Sequence, residues 1–256
     1  MLNVLARWGA ALCAGALLAG VASAAEVRVM ISAGFFKVYA ELGPGFEKAS
    51  GHRLVTTRGP SMGDSPEAIP ARLGRGEAAD VVILDGSAAE DLAKRGMLRP
   101  GSKVELAGSL VGMVVREGAP KPDISSVDAF KKTLLAAKSV TYATQGASAA
   151  PFEALVAKLG ITEQMKPKYK LRETASQVGD AVAIGIVELG VAPVSEILPV
   201  KGVDLVGPFP KDVQSYVQIG GAVGAGAKEQ DAANKLLTFI VFPSNDAVYK
   251  AKGMER

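Results

Sequence analysis

Short β-branched runs alternate with stretches of helical spacing along most of this chain. Residues 27–32 (VRVMIS) predict a strand ending in Ser-Ala-Gly. Residues 35–49 then place Phe36, Tyr39, Ala40, Leu42 and Phe46 on one broad face, and Gly43-Pro44-Gly45 predicts a break in that helix. A second strand is expected at 54–57, a turn at 59–63, a helix at 67–75 closed by Gly76, a third strand at 80–84 (DVVIL) and a helix at 87–95 closed by Gly96. Strand and helix thus alternate three times within roughly 70 residues, the pattern of a parallel α/β sheet. DVVIL is continuously apolar, as a strand covered on both faces should be.

The second half repeats the alternation. Strands are expected at 111–115, 140–143, 188–192 and 203–206, with an extended stretch at 170–173 and a returning strand at 215–222. Helices are expected at 126–136, 148–159, 177–184 and 227–240, the last being the strongest. Sheets of this kind bind ligands at the C-terminal ends of their strands. That directs attention to the loops there.

The first 24 residues follow a different rule. Arg7 forms a basic start, 9–20 is almost unbroken Ala, Leu and Gly, and Ala22-Ser23-Ala24 offers the small-x-small pattern of signal cleavage. The expected product is a periplasmic chain beginning at Ala25. Leu12 before Cys13 does not suit a lipid anchor. Of 256 residues 232 remain, with no cysteine, and the formal charge falls from +3 to +2 with the loss of Arg7. A disulfide or thiolate chemistry is excluded, and His52, the only histidine, leaves little for a metal site or a nucleophile pair. No cofactor is expected. Basic residues are scattered, which argues against nucleic acid. No second apolar stretch would embed the chain in a membrane, and the expected state is a monomer.

Three strand-to-helix loops share small residues, hydroxyls and backbone amides: Ser32-Ala33-Gly34-Phe35, Ser61-Met62-Gly63 and the loop from Thr144 to Ser148. At a helix start, free N–H groups and the helix dipole attract an anion, and hydroxyls add neutral donors. The same serines and threonines could equally serve only as helix caps.

At this point the chain resembles the molybdate-binding type of periplasmic solute-binding proteins, a branch of the type II proteins. The resemblance rests on the opening strand and turn, Phe46-Glu47-Lys48-Ala49-Ser50-Gly51, the loop from Gly59 to Gly63, and Gly76-Glu77-Ala78-Ala79-Asp80-Val81. It implies an α/β fold of two lobes, each a mixed or parallel sheet flanked by helices, with the ligand cleft between them. Lobe 1 would comprise 25–109 plus 212–256, and lobe 2 110–211. Consecutive serines usual after the first strand are replaced here by Ala33 and Gly34, Pro60 stands in a usual serine position, and 191–193 lack a usual tyrosine. Ser-Ala-Gly-Phe, Gly-x-Ser-Met-Gly, Arg72-Leu73 and 118–124 are closer to a divergent branch that includes aconitate isomerase.

Two functions follow from that resemblance. One is cofactor-free interconversion of cis- and trans-aconitate by allylic proton transfer. The other is capture of an oxyanion or carboxylate for an ABC permease. Arg58 and Arg72 flank the Ser61 loop and could pair with a carboxylate. Asp85, Asp64 and Glu196 are the candidates for proton transfer, although Asp85 and Asp64 could simply cap helices. Ser32, Gly34, Phe35, Ser61, Met62, Gly63, Thr144, Ser148 and Ser195 complete the expected ligand contacts. A titratable group projecting into the cleft would favour the enzyme, and hydroxyls and amides alone would favour capture.

Overall fold

The computed structural model describes residues 24–256, so the expected leader, apart from Ala24, lies outside the described residues. The chain opens with β1 (Glu26–Ile31), α1 (Ala33–Ser50), β2 (Arg53–Arg58), α2 (Ile69–Gly74), β3 (Val81–Asp85) and α3 (Gly86–Lys94). It continues through β4 (Val104–Arg116), α4 (Val127–Ala136), β5 (Val140–Tyr142), α5 (Ala149–Lys158), α6 (Thr162–Met165) and α7 (Ala175–Ala183). It ends with β6 (Leu189–Pro193), α8 (Val194–Ile197), β7 (Val203–Pro208), β8 (Tyr216–Val223), α9 (Gln230–Ile240), α10 (Asp246–Ala251) and β9 (Met254–Glu255).

The strands run in the order β2-β1-β3-β8-β4-β6-β5. β1 pairs in parallel with β2 and β3, and β8 returns antiparallel to β3. β4 joins the two halves. Its first part, to Leu110, pairs with β8, and from Val111 onward it pairs with β6 and β7. β5 lies parallel to β6. The result is a two-lobed α/β molecule in which β4 changes partners halfway along its length.

Local chemistry explains the elements that carry the site. Every residue of β3 is buried, because the sheet is covered on both faces there. Removing each of its aliphatic side chains from water contributes roughly 1.5–3 kcal/mol. α1 does not break at Gly43-Pro44-Gly45; it runs through all three. Pro44 and Ala40 are exposed, so water can take the carbonyl that the missing proline N–H leaves free. Gly43 faces inward, where an added Cβ would lie 3.2 Å from Leu54 Cδ1. The glycine lets the helix sit close to β2.

Phe35 packs in the core against Tyr249 of α10, with ring centroids 5.6 Å apart. His52 is buried beside Phe46, and its Nδ1 accepts from the Ala25 N–H at 3.1 Å. That bond sits where β1 begins, at the end of the sheet opposite Ser32 and Asp85. α2 starts only at Ile69, later than the helix expected from 67, and bends and turns fill 61–68. Among the described residues, no helix is long and apolar enough to cross a membrane.

Candidate functional site

A cavity of about 320 Å³ opens between the two halves that β4 joins, at the C-terminal ends of β1, β2, β3 and β6. That volume is at the lower end of the range for small-molecule sites, roughly 300–1,000 Å³. One wall consists of Ser32, Ala33 and Gly34 at the start of α1 and of Arg58 to Ser61 after β2. The other is formed by Gln145 and Gly146 before α5, Glu173 to Ser176 at the start of α7, and Glu196. A Cβ added to Gly63 would lie 3.2 Å from the Gln145 side chain, so loops from the two walls meet there.

α1 is eighteen residues long, and its first turn has N–H groups without partners inside the helix. Ser32 is its N-cap, but the side chain makes no capping bond. The Ser32 Oγ is buried without a hydrogen-bond partner and lines the cavity. A buried hydroxyl in that state is costly unless something else engages it. α7 presents a second helix start, closed by a reciprocal cap in which Thr174 and Gln177 bond each other's backbone.

Asp85 ends β3 at the base of the cavity, and its side chain makes no capping bond to α3. Ser61 Oγ accepts the Asp85 N–H at 3.0 Å. Burial pushes the Asp85 carboxyl up to about 6, partly offset by hydrogen bonding from Ser61. Across the cavity stands Glu196, half-buried in the first turn of α8. Burial of its carboxyl, reinforced by the charge of Asp85, pushes it up to about 8. Gly34 sits between the two: an added Cβ would lie 3.5 Å from Glu196 Oε1 and 3.9 Å from Asp85 Oδ1. A side chain at 34 would fill the space between these carboxyls.

Arg58 is the cation of the lining. Its guanidinium lies 4.1 Å from the centre of the Phe36 ring, which fixes its position without neutralising it. Arg72 lies outside the lining. Its guanidinium is held by Glu67 and, at 2.9 Å, by Glu77, so it braces the loop from Ser61 to Ala68.

The structure therefore brings together Ser32, Gly34, Arg58, Ser61 and Asp85, with Glu196 facing them. The other expected residues lie elsewhere. Phe35 is a core residue and Met62 packs against the buried cluster that contains Met30, Ile69, Val82 and Leu84. Asp64 is exposed, with no helix beginning beside it to cap. Gly63 sits at the lip opposite Gln145. Thr144 points away and donates to the Arg172 carbonyl at 3.2 Å. Ser148 and Ser195 are buried outside the lining, and the Ser195 N–H donates to Ser109.

The loop from Thr144 to Ser148 does reach the cavity, through Gln145 and Gly146 rather than through Thr144 and Ser148, and sequence reasoning missed the start of α7 as a wall. The Thr-x-x-Gln spacing at 174–177 was a legible helix start, but the helix was expected to begin at 177. Ser61→Ala is expected to move the Asp85 carboxyl further above 6, because the bond favouring its ionised form is gone. Carbon-13 NMR titration of the carboxyl would measure this, and an unchanged midpoint would contradict the role given to Ser61.

Comparison with known proteins agrees with this architecture. The model of the family described as bacterial extracellular solute-binding protein matches residues 27–255. An aconitate isomerase from a Pseudomonas species is 38% identical over 247 residues, covering 96% of this chain and 92% of that protein. A molybdate-binding protein of Azotobacter vinelandii is 31% identical and covers 97% of each chain. Among solved structures, the sulfate-binding protein of Mycobacterium tuberculosis superposes with a TM-score of 0.73 at 19% identity, over 90% of this chain and 86% of that one.

Proposed function

The chain belongs to the family of bacterial extracellular solute-binding proteins, and we propose that it uses the two-lobed cleft to isomerise a small unsaturated tricarboxylate. The interconversion of cis- and trans-aconitate is the reaction proposed. The observation that carries this reading is the facing pair Asp85 and Glu196 across Gly34. Allylic proton transfer needs a base on one side of the carbon chain and an acid on the other. With Asp85 at about 6 and Glu196 at about 8, one is mostly ionised and the other mostly protonated at neutral pH. Environments that push two carboxyls apart in this way assign them opposite tasks.

In the forward reaction Asp85 removes a proton from the methylene carbon, and the electron pair shifts through the double bond. Glu196 delivers a proton to the far allylic carbon, so the double bond moves by one position and no proton is gained or lost overall. The turnover leaves Asp85 protonated and Glu196 ionised; Asp85 then gives its proton to water and Glu196 takes one from water, which restores the start. Charge developing on a substrate carboxylate would be met by Arg58 and by the first turn of α1 with Ser32. No step calls for a cofactor.

A second reading is capture without chemistry, delivering an oxyanion or carboxylate to an ABC permease in the periplasm. It is favoured by the molybdate- and sulfate-binding relatives, which share the fold. An assay of the chain from Ala25 onward with cis-aconitate, read by chromatography of the trans isomer, separates the two. Heat-labile turnover supports the isomerase. Its absence, with tight binding of molybdate, supports capture.

A further inference from the structure

The charge of the cavity does not suit an anion as it stands. Four carboxyls line it, those of Glu67, Asp85, Glu173 and Glu196, against the guanidinium of Arg58. Glu67 is paired with Arg72, which it shares with Glu77, and Glu173 is exposed at the lip, where water screens it. Asp85 and Glu196 are deeper, and neither has an ion-pair partner among the described residues. Of the elements packed against α8, β6 has no ionisable residue. All the ionisable residues of α1, together with Asp180 of α7, Glu105 and Arg116 of β4 and Asp204 of β7, lie outside the lining.

The two deep carboxyls come from the two halves that β4 joins. Asp85 ends β3, and Glu196 follows β6. Both reach the same point beside Gly34, where an added Cβ would lie 3.5 Å from Glu196 Oε1 and 3.9 Å from Asp85 Oδ1. If both were ionised there, they would repel each other and any anion between them. A proton on one of them removes the repulsion between the pair and turns that carboxyl into a hydrogen-bond donor.

We infer that the cleft takes up its anionic ligand together with a proton held on Glu196, which donates a hydrogen bond to the ligand and so selects ligands with an acceptor at that position. This rests on the reading of the cleft as a carboxylate site. Glu196 rather than Asp85 keeps the proton, because it is the carboxyl pushed further up, to about 8 against about 6. Binding is then strongest below about 8 and weakens as Glu196 ionises in the free protein.

The test is calorimetry of the chain from Ala25 onward, at pH 7 and pH 9, in buffers of different ionisation enthalpy. The probes are molybdate and tricarballylate, the saturated tricarboxylate that has no double bond to move. For the probe that binds, little proton uptake is expected at pH 7 and close to one proton at pH 9. Its Kd should rise about tenfold per pH unit above 8. Glu196→Gln should abolish the uptake and flatten Kd between the two pH values. Should that variant not fold, Asp85→Asn serves instead: removing the neighbouring charge should move the midpoint of the uptake below 8. A wild-type Kd that is flat with no uptake overturns the inference, as does unchanged uptake in Glu196→Gln or an unmoved midpoint in Asp85→Asn. Binding of molybdate but not of tricarballylate sinks the carboxylate reading, while the proton count on molybdate still decides the inference. No binding of either probe at pH 7 overturns both.

Discussion

Asp85→Asn is expected to lower the turnover of cis-aconitate by about 10²–10⁴-fold, the usual range for removing a positioned base. Asparagine has nearly the shape of aspartate and leaves the backbone bond to Ser61 in place, so tricarballylate should still bind. The wild-type rate should rise through pH 6 as Asp85 ionises and fall through pH 8 as Glu196 does, giving a bell. The variant's residual rate should lack the acidic limb. Stability supplies an independent check. A carboxyl raised in the folded state favours folding fully below its unfolded value and loses that contribution as pH rises through the folded one. At pH 8 wild type has lost it for Asp85, whereas the neutral asparagine has no charge to bury. The variant should therefore be at least as resistant to urea as wild type at pH 8. A variant both slower and less stable would indicate a structural role instead.

The second large effect concerns a carboxylate with no part in the cleft. Asp80 is buried just before β3 and accepts three backbone N–H groups: Arg28 at 2.8 Å, Lys228 at 2.8 Å and Glu229 at 3.0 Å. These bonds tie β1 to the segment leading into α9, more than 140 residues away in sequence. Asp80→Ala strands three donors in a part-buried place. Each costs about 1–3 kcal/mol when left without an acceptor, so a loss of at least about 3 kcal/mol is expected in urea unfolding. Asp80→Asn keeps one acceptor oxygen and should lose less. A change below about 1 kcal/mol for the alanine variant would contradict this account.

The outline of the fold was legible because β1, β2, β3 and the helices after them follow local periodicity. What was not legible depended on partners distant in the chain. β4 is thirteen residues long, yet only 111–115 read as strand. Its earlier part, VELAGS, does not alternate, and it is held extended by β8, more than a hundred residues later. α10 and β9 are short and take their shape from packing, with Tyr249 over Phe35 and Met254 pairing with Ser109. In the site, Asp85 could be named because a residue ending a buried strand faces the ligand end of such a sheet. Glu196 could be named as one carboxylate among three. That the two face each other across Gly34 follows from how β6 is placed beside β4, which no spacing along the chain encodes. Arg72 misled for a simpler reason: one turn into a helix, its side chain reaches back to Glu67 and on to Glu77.

The central claim is that two carboxyls of the cleft exchange protons with the substrate. The most direct measurement is isomerisation of cis-aconitate in heavy water, followed by proton NMR. The account predicts trans-aconitate with one deuterium on its methylene carbon, delivered from the exchangeable acid of Glu196. Trans-aconitate formed without deuterium would contradict proton transfer through the pair, and unchanged cis-aconitate would contradict catalysis altogether.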